Sequence, residues 1–177
     1  MKIIKTKQKL NKGFTLIELL IVIAVIGLIS VLALVAVKNA KDKAKTAKLK
    51  ADFKQIYTAA DQAREIGGKV LKDVTGSGCS CCACINRGNL SILPDTHQCI
   101  INYKNWLNRL KLSTSLRDPW GSPYLLDENE LEGGNCNYDG LFSAGPDKIW
   151  GAGDTDGIIY SHVSTMLGIR IPFYYCR

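Results

Sequence analysis

The chain has 177 residues, a net charge of +7 and 46% hydrophobic residues. This length leaves room for one modest domain beyond a membrane anchor. The charge suggests a nucleic-acid-binding protein at first, but it is unevenly distributed. Residues 1–13 and 38–54 each carry a net charge of +5, whereas residues 55–177 hold 11 Lys or Arg and 13 Asp or Glu. Such lysine runs are more typical of solvated faces or contacts with anionic lipid head groups, so nucleic acid is disfavoured as a partner.

The N-terminal segment indicates a membrane anchor. Residues 14–37 form an apolar run in which Glu18 is the one charged residue. At about 1.5 Å per helical residue, this run spans the hydrocarbon core of a bilayer, which is about 30 Å thick. Five lysines and no acid precede it, so we expect the rest of the chain to lie outside the cytoplasm. The run is too long for a cleaved secretory signal, and no small-residue cleavage site follows it.

The sequence KGFTLIE at residues 12–18 resembles the class III leader of type IV pilins and of the pseudopilins of type II secretion. The motif is specific because a basic leader, a Gly-Phe junction, a glutamate and a membrane-length run must coincide. The resemblance implies that a prepilin peptidase cuts between Gly13 and Phe14 and that Phe14 becomes N-methylphenylalanine. It also implies that an inner-membrane assembly platform extracts the subunit into a helical filament whose core contains the apolar helix.

Glu18 is the residue that this resemblance connects to assembly. An ionised carboxylate inside a membrane is costly and is kept only with a partner or a function. In a filament, the implied partner is the Phe14 ammonium of a neighbouring subunit. A plain signal anchor with a hydrated Glu18 would explain the span but not the Gly-Phe-x3-Glu spacing. The resemblance does not extend to the late proline that many relatives carry, because residues 14–37 contain no proline.

A second helical stretch, residues 38–66, is predicted to continue the span without a break. Its apolar residues recur at three- and four-residue steps, and Gly67-Gly68 supplies a stop. Residues 67–94 are rich in Gly, Ser and Cys and are predicted to form a loop. A further helix is then expected, with Asp95 or Thr96 as its N-cap. The stripe on the second stretch consists of Ala40, Ala44, Ala47, Leu49, Ala51, Phe53, Ile56 and Ala60.

The C-terminal part is predicted to contain the short helix and several strands. A turn at 118–124 leads into a strand through Leu126, a polar loop follows at 127–135, and further strand candidates are 138–143, 157–163 and 169–175. The predicted fold is α+β, with a long N-terminal helix, transmembrane then amphipathic, packed against a small antiparallel sheet as in type IV pilins. The face predicted for the short helix consists of Cys99, Ile100, Tyr103, Trp106, Leu107 and Leu110. Four domains result: a cleaved leader (1–13), a transmembrane or filament-core helix (14–37), an amphipathic helix (38–66) and an extracytoplasmic head (67–177). Within the head we distinguish a cysteine-rich loop (79–99) and a calcium-loop sheet region (118–163).

The loop at residues 143–157 gathers three aspartates among glycines. Calcium prefers six to eight oxygen ligands, and glycines allow a loop to turn its carbonyls inward. The loop is not an EF-hand, because Asp154-x-Asp156-Gly157 is only a fragment of that motif and no glutamate closes it. The spacing alone leaves a calcium site and a solvated acidic turn both open.

Two C-terminal segments also resemble the major, G-type pseudopilin of type II secretion. They read DPWGSPY at residues 118–124 and YDGLFSAGPD at residues 138–147. The resemblance implies a bound Ca²⁺ that stabilises the head, although the last two aspartates are spaced a residue more tightly than usual. The implied ligands are the side chains of Asp147, Asp154 and Asp156, with backbone carbonyls near Ser143 and residues 149–150.

All seven cysteines lie after Gly78. In an extracytoplasmic domain they are expected to form disulfides, and four thiols within residues 79–84 are too crowded for a zinc site unless Cys99 joins them. Adjacent Cys81 and Cys82 are expected to bond distant cysteines rather than each other. The spacing leaves the connectivity open, with Cys136–Cys176 as the preferred tie for the C-terminal tail. The candidates are Cys79, Cys81, Cys82, Cys84, Cys99, Cys136 and Cys176.

The sequence shows no recognisable active site, because His97 and His162 lack a nucleophile in a known context. We therefore expect a structural subunit rather than an enzyme. The resemblance implies a homopolymer with minor pseudopilins or pilins, first single-pass in the bacterial inner membrane and then a filament in the periplasm or at the cell surface. It favours the major pseudopilin of a type II secretion system. The alternatives are a type IV pilus pilin for adhesion, motility or DNA uptake, and an anchored DNA-binding module that never polymerises.

Overall fold

A computed structural model describes residues 13–134, 137–151 and 168–171. The chain divides into two compact units, Met1–Lys43 and Ala44–Arg177, and the second is called the head unit below. The predicted α+β fold, a long N-terminal helix with a small antiparallel sheet, is confirmed. In chain order the elements are α1 (Leu16–Gly67), α2 (Leu71–Thr75), α3 (Gln98–Arg109), β1 (Leu125–Asp127), β2 (Asp139–Phe142) and β3 (Gly168–Ile171).

Helix α1 continues from the apolar run to the predicted glycine stop. Gly68, directly after its last residue, has φ +60°, a conformation that glycine adopts without steric cost. By length and composition, α1 could cross a membrane. Large apolar side chains of its first part are exposed, as Leu16 (88%) and Ile23 (66%) illustrate. Such a surface needs a cover of lipid or of other apolar helices.

The second part of α1 packs into the head unit through one apolar stripe. Leu49, Phe53, Ile56 and Ala60 are at most 4% exposed, as their helical spacing predicts. The small-residue part of the predicted stripe was wrong, because Ala40, Ala44, Ala47 and Ala51 are exposed. The core of the head unit begins only at Leu49. Buried residues that complete this core are Leu71, Tyr103, Trp106, Leu107, Leu110, Tyr124, Leu126, Leu141 and Ile171.

Helix α3 begins later than the sequence predicts. Its N-cap is His97, whose Nδ1 accepts a hydrogen bond from the Cys99 backbone N–H at 3.1 Å. Asp95 and Thr96 fail as caps because residues 94–97 form a turn, in which His97 N donates to the Pro94 carbonyl at 2.9 Å. The predicted face of α3 is buried at every position, namely Cys99, Ile100, Tyr103, Trp106, Leu107 and Leu110.

The sheet has the order β1-β2-β3 with antiparallel pairs. Leu125 pairs with Phe142 and Gly140 with Arg170, so β2 lies in the centre. The strand predicted at 157–163 lies outside the described residues. The loop predicted at 67–94 was partly wrong, since it contains α2 and 3₁₀ turns at Cys82–Cys84 and Leu90–Ile92.

Candidate functional site

The N-terminal site begins in an open segment at the start of α1. Nothing lies within 4 Å of the position that a Cβ on Gly13 would occupy, and Phe14 is 83% exposed. Within the described part of the chain, the predicted cleavage bond between these two residues is therefore exposed. Residues 1–12 of the predicted leader lie outside the described residues.

Glu18 forms a capping box with Thr15. Its Oε2 accepts hydrogen bonds from the Thr15 backbone N–H and from Thr15 Oγ1, both at 2.8 Å. Glu18 N donates in return to Thr15 Oγ1 at 3.3 Å. The two residues thus satisfy donors that a helix start leaves unpaired. Thr15 was not predicted as a functional residue, although Thr-x-x-Glu before an apolar run is the signature of this motif.

Ser143, one of the predicted calcium-site residues, lies in a buried hydrogen-bond network with Asp118. Ser143 Oγ donates to Asp118 Oδ2 at 2.6 Å. Asp118 Oδ1 accepts from the backbone N–H groups of Trp120 at 3.0 Å and Ser122 at 2.7 Å. Burial raises the pKa of the Asp118 carboxyl, although these hydrogen bonds oppose the rise. Asp118 therefore joins the two segments that resemble the G-type pseudopilin.

The turn after Ser143 is held against the cysteine loop by backbone hydrogen bonds. Leu90 N donates to the Lys148 carbonyl at 2.8 Å, and Asn86 N donates to the Trp150 carbonyl at 2.7 Å. Asp147 is exposed, and its Oδ1 accepts from Ile149 N at 3.0 Å. Asp154 and Asp156 lie outside the described residues. The candidate ligand atoms that the structure describes here, those of Ser143 and Asp147, are oxygens, which fit the preference of calcium for hard ligands.

Two disulfides organise the cysteine loop. Cys84 bonds Cys99 and ties the loop to α3, with Cα atoms 4.8 Å apart. Cys82 bonds Cys79 within the loop rather than a distant cysteine, because the intervening turn brings their Cα atoms to 5.3 Å. The Cys81 thiol is buried and forms no disulfide with any cysteine in the described part of the chain. Cys136 and Cys176 lie outside the described residues, so their preferred pairing stays a prediction.

One cluster in the loop has metal-like spacing. Sulfur atoms of Cys79 and Cys81 and a carboxylate oxygen of Asp127 all lie within 4.8 Å of one another. Burial, followed by the charges of Asp127 and Glu128, raises the pKa of the Cys81 thiol to about 12. Because the Cys79 sulfur is in a disulfide with Cys82, it cannot supply a thiolate, and the cluster lacks the paired thiolates typical of structural zinc sites.

Glu128 links β1 to α2 and to the cysteine loop. Its Oε1 accepts from Thr75 Oγ1 at 2.7 Å and from Ser80 Oγ at 2.6 Å, while its Oε2 accepts from Ser80 N at 2.8 Å. The side chain is buried. Burial raises the pKa of this carboxyl to about 7, against the opposite effect of its hydrogen bonds.

This raised pKa predicts that the head unit loses stability as pH rises. Between about pH 4.5 and pH 7 the folded state keeps the Glu128 proton while the unfolded chain releases it, so the free energy of unfolding falls by roughly 3 kcal/mol. Urea unfolding of the full chain in detergent, followed by tryptophan fluorescence at several pH values, measures this fall. In Glu128→Gln the fall should shrink by that amount, while other titrating groups contribute equally to both proteins. Parallel pH curves for the two proteins would contradict the prediction.

A cluster of charged side chains centred on Arg64 lies between α1 and the loop that joins β1 to β2. The Arg64 side chain is fully buried, with its Nη2 2.9 Å from Asp61 Oδ1. Its Nη1 lies 3.7 Å from Glu130 Oε2 and 4.0 Å from Asp139 Oδ2. Asp139 Oδ1 in turn accepts from the backbone N–H groups of Asn129 at 2.7 Å and Glu130 at 2.9 Å. No local pattern in the sequence indicates this cluster, because Glu130 and Asp139 lie more than 60 residues after Arg64.

An exposed apolar helix that starts at a Gly-Phe junction, carries in its first turn a glutamate bonded to Thr15, and continues into an α+β head is typical of type IV pilin-like class III prepilins. Residues 8–34 match the family model described as "Prokaryotic N-terminal methylation motif". The chain is 29% identical over 153 residues to the Type II secretion system core protein G of Pseudomonas aeruginosa, which covers 86% of this chain and 96% of that protein. No solved structure matches significantly. The resemblance to a class III prepilin of the G-type pseudopilin kind is therefore confirmed.

Proposed function

We propose that this chain is the major pseudopilin of a type II secretion system. In this role it is a structural subunit and not an enzyme, and it polymerises into a pseudopilus that drives protein export. The observation that supports this role is the extent of the similarity to the Pseudomonas aeruginosa core protein G. The matched region covers 86% of this chain, so it includes much of the head in addition to the methylation motif, which ends at residue 34.

The exposed first part of α1 supports the membrane and assembly steps of this proposal. Before assembly the apolar surface is covered by the lipid of the inner membrane, and afterwards by the same helix of neighbouring subunits. A prepilin peptidase cleaves the accessible bond after Gly13, and Phe14 is methylated. The proposed partners are further copies of this chain, minor pseudopilins and the inner-membrane assembly platform.

Electron microscopy of filaments sheared from native cells, labelled with an antibody to the head, tests this function. We expect no long labelled surface fibres. We expect instead that the processed, methylated protein stays in the envelope. Deletion of the gene should cause folded exported proteins to accumulate in the periplasm, and re-expression should reverse this. Long labelled surface fibres with unchanged protein export would instead identify a type IV pilin.

We further propose that the head binds Ca²⁺ through Asp147, Asp154 and Asp156, with the Ser143 carbonyl among the remaining ligands. Support comes from the oxygen atoms that Ser143 and Asp147 offer as ligands and from the contacts that hold this loop. Ser143 is held by Asp118, and the residues after Asp147 are held by the cysteine loop. A bound ion would stabilise this junction by neutralising the aspartates and by binding only the folded state.

Calcium removal is expected to lower the melting temperature of the head. At a free calcium concentration 100 times the Kd, the ion contributes about 2.7 kcal/mol, which corresponds to a shift of several degrees. The measurement is thermal unfolding of the full chain in detergent, with chelator and with added calcium. Asp147→Asn should remove the response, whereas Asp95→Asn, at an exposed acid in the turn before α3, should keep it. A melting temperature that ignores both chelator and calcium would show that the site assignment is wrong.

A further inference from the structure

A groove on the head unit runs along the second part of α1. Its volume is about 920 Å³, and it is bounded by α1 from Ala51 to Gly67, by α2 and by the C-terminal end of α3. Apolar lining is provided by side chains such as Ala59, Ala63 and Leu112. A groove of this size and composition accommodates a large apolar side chain together with its neighbours.

The exposed charged residues of the groove are mostly basic. Four cations and one acid line it, so the groove attracts an acidic partner. The rest of residues 55–177 has the opposite character, with eight Lys or Arg against twelve Asp or Glu. A second copy of this head therefore has the charge that the groove favours. The charged lining residues are Lys54, Lys69, Arg109, Lys111 and Asp73.

An exposed corner of the same head has matching chemistry. It comprises residues 92–95, which run from the last residue of the 3₁₀ turn at Leu90–Ile92 towards α3, and it is called the Ile92 corner. Ile92 is 76% exposed, and the side chain of Asp95 is 74% exposed. Pro94 restricts the backbone between them, so less conformational freedom is lost on binding. Asp95 pairs with Lys104 at 2.7 Å, but an exposed pair of this kind exchanges partners at little cost.

The corner and the groove lie at opposite ends of α3. The corner precedes Gln98, whereas the groove includes Arg109 and the residues after it. Twelve helical residues separate the two ends by about 18 Å. A contact between two different surfaces of the same molecule is heterologous, and it generates an open helical array unless the rotation closes a ring.

We propose that the Ile92 corner of one head docks into the α1–α3 groove of a neighbouring copy. Ile92 contacts the apolar lining, and the Asp95 carboxylate lies among the groove cations. The contact rests on the proposed function, since it joins heads within a filament. It adds a directional head-to-head contact to the packing of the apolar helices, with the groove of each subunit filled by the next one.

Photo-crosslinking in native cells tests the contact. The full chain carries p-benzoylphenylalanine in place of Ile92, and irradiation should give a ladder of dimers and higher multimers. Their crosslinked peptides should map to residues 51–67 or 109–112 of the second copy. The same photoreactive residue at Ile149, which is 43% exposed outside the groove, is the control and should not crosslink to those peptides.

A charge variant sharpens the test. Lys54→Glu combined with Lys69→Glu should reduce the Ile92 ladder about fivefold, the loss expected when one or two exposed ion pairs are reversed. Lys50→Glu, at an exposed position that does not line the groove, should leave the ladder unchanged. If filaments assemble but Ile92 crosslinks to other proteins, to other parts of the head or to nothing, the contact is wrong and the proposed function stands. If the chain forms no filament at all, both proposals are overturned.

Discussion

Replacing Glu18 by glutamine is expected to abolish filament assembly while the head stays folded. Glutamine keeps the shape of the side chain and an oxygen that can accept hydrogen bonds from Thr15, so the start of α1 is preserved. It removes the negative charge, which is the one feature that the proposed pairing with a neighbouring Phe14 ammonium requires. In an apolar filament core, a charge pair of this kind is far stronger than in water, and its loss leaves the ammonium unpaired.

A matched variant separates the two roles of Glu18. Thr15→Ala removes the side chain that Glu18 contacts in the capping box and should cost about 1 kcal/mol of helix stability, but it keeps the carboxylate. We expect Thr15→Ala to assemble and Glu18→Gln to fail. The measurement is the yield of crosslinked multimers and of exported protein, with leader cleavage followed in parallel to show that both variants reach the membrane. Normal assembly of Glu18→Gln would show that Glu18 acts only as a capping residue.

Local patterns in the sequence predicted much of the fold. The end of α1 follows from Gly67-Gly68, and the buried face of α3 follows from the helical spacing of six apolar residues. The segments that form β1, β2 and β3 also contain local signals that predict strands. These features depend on neighbours within one or two turns, which a single sequence displays directly. The Gly-Phe-x3-Glu segment is of the same local kind.

The features that were missed depend on distant contacts. Residues 127–135 were predicted to be a polar loop, yet Glu128 and Glu130 within it are at most 1% exposed. Glu128 is buried because Ser80, 48 residues earlier, donates two hydrogen bonds to it. Periodicity carries no information about such a partner, and an acid in a polar segment is normally solvated. The Cys79–Cys82 disulfide was missed for a related reason, since it needs the turn that only the folded loop provides.

Arg64 is a position in the head unit where one substitution should cost several kcal/mol of stability. Arg64→Met removes the buried cation and leaves Glu130 and Asp139 buried near each other. Breaking a buried charge cluster in this way typically costs about 3–5 kcal/mol, because the remaining charges keep their desolvation penalty. Burial already raises the pKa of the Asp139 carboxyl. Because Arg64 opposes this rise, its removal should raise the pKa of Asp139 further, and the stability lost on substitution should grow as pH rises above the pKa of Asp139 in the folded parent.

The cause of this loss can be tested by neutralising the acids as well. Urea unfolding of the full chain in detergent is compared for the parent, for Arg64→Met and for a triple variant with Glu130→Gln and Asp139→Asn. If uncompensated charge is the cause, the triple variant should regain part of the lost stability, since neutral amides are less costly to bury than carboxylates. Arg87→Met, at an exposed position, should stay within about 0.5 kcal/mol of the parent. A triple variant less stable than Arg64→Met alone would show that packing around the guanidinium, rather than its charge, holds α1 to the loop between β1 and β2.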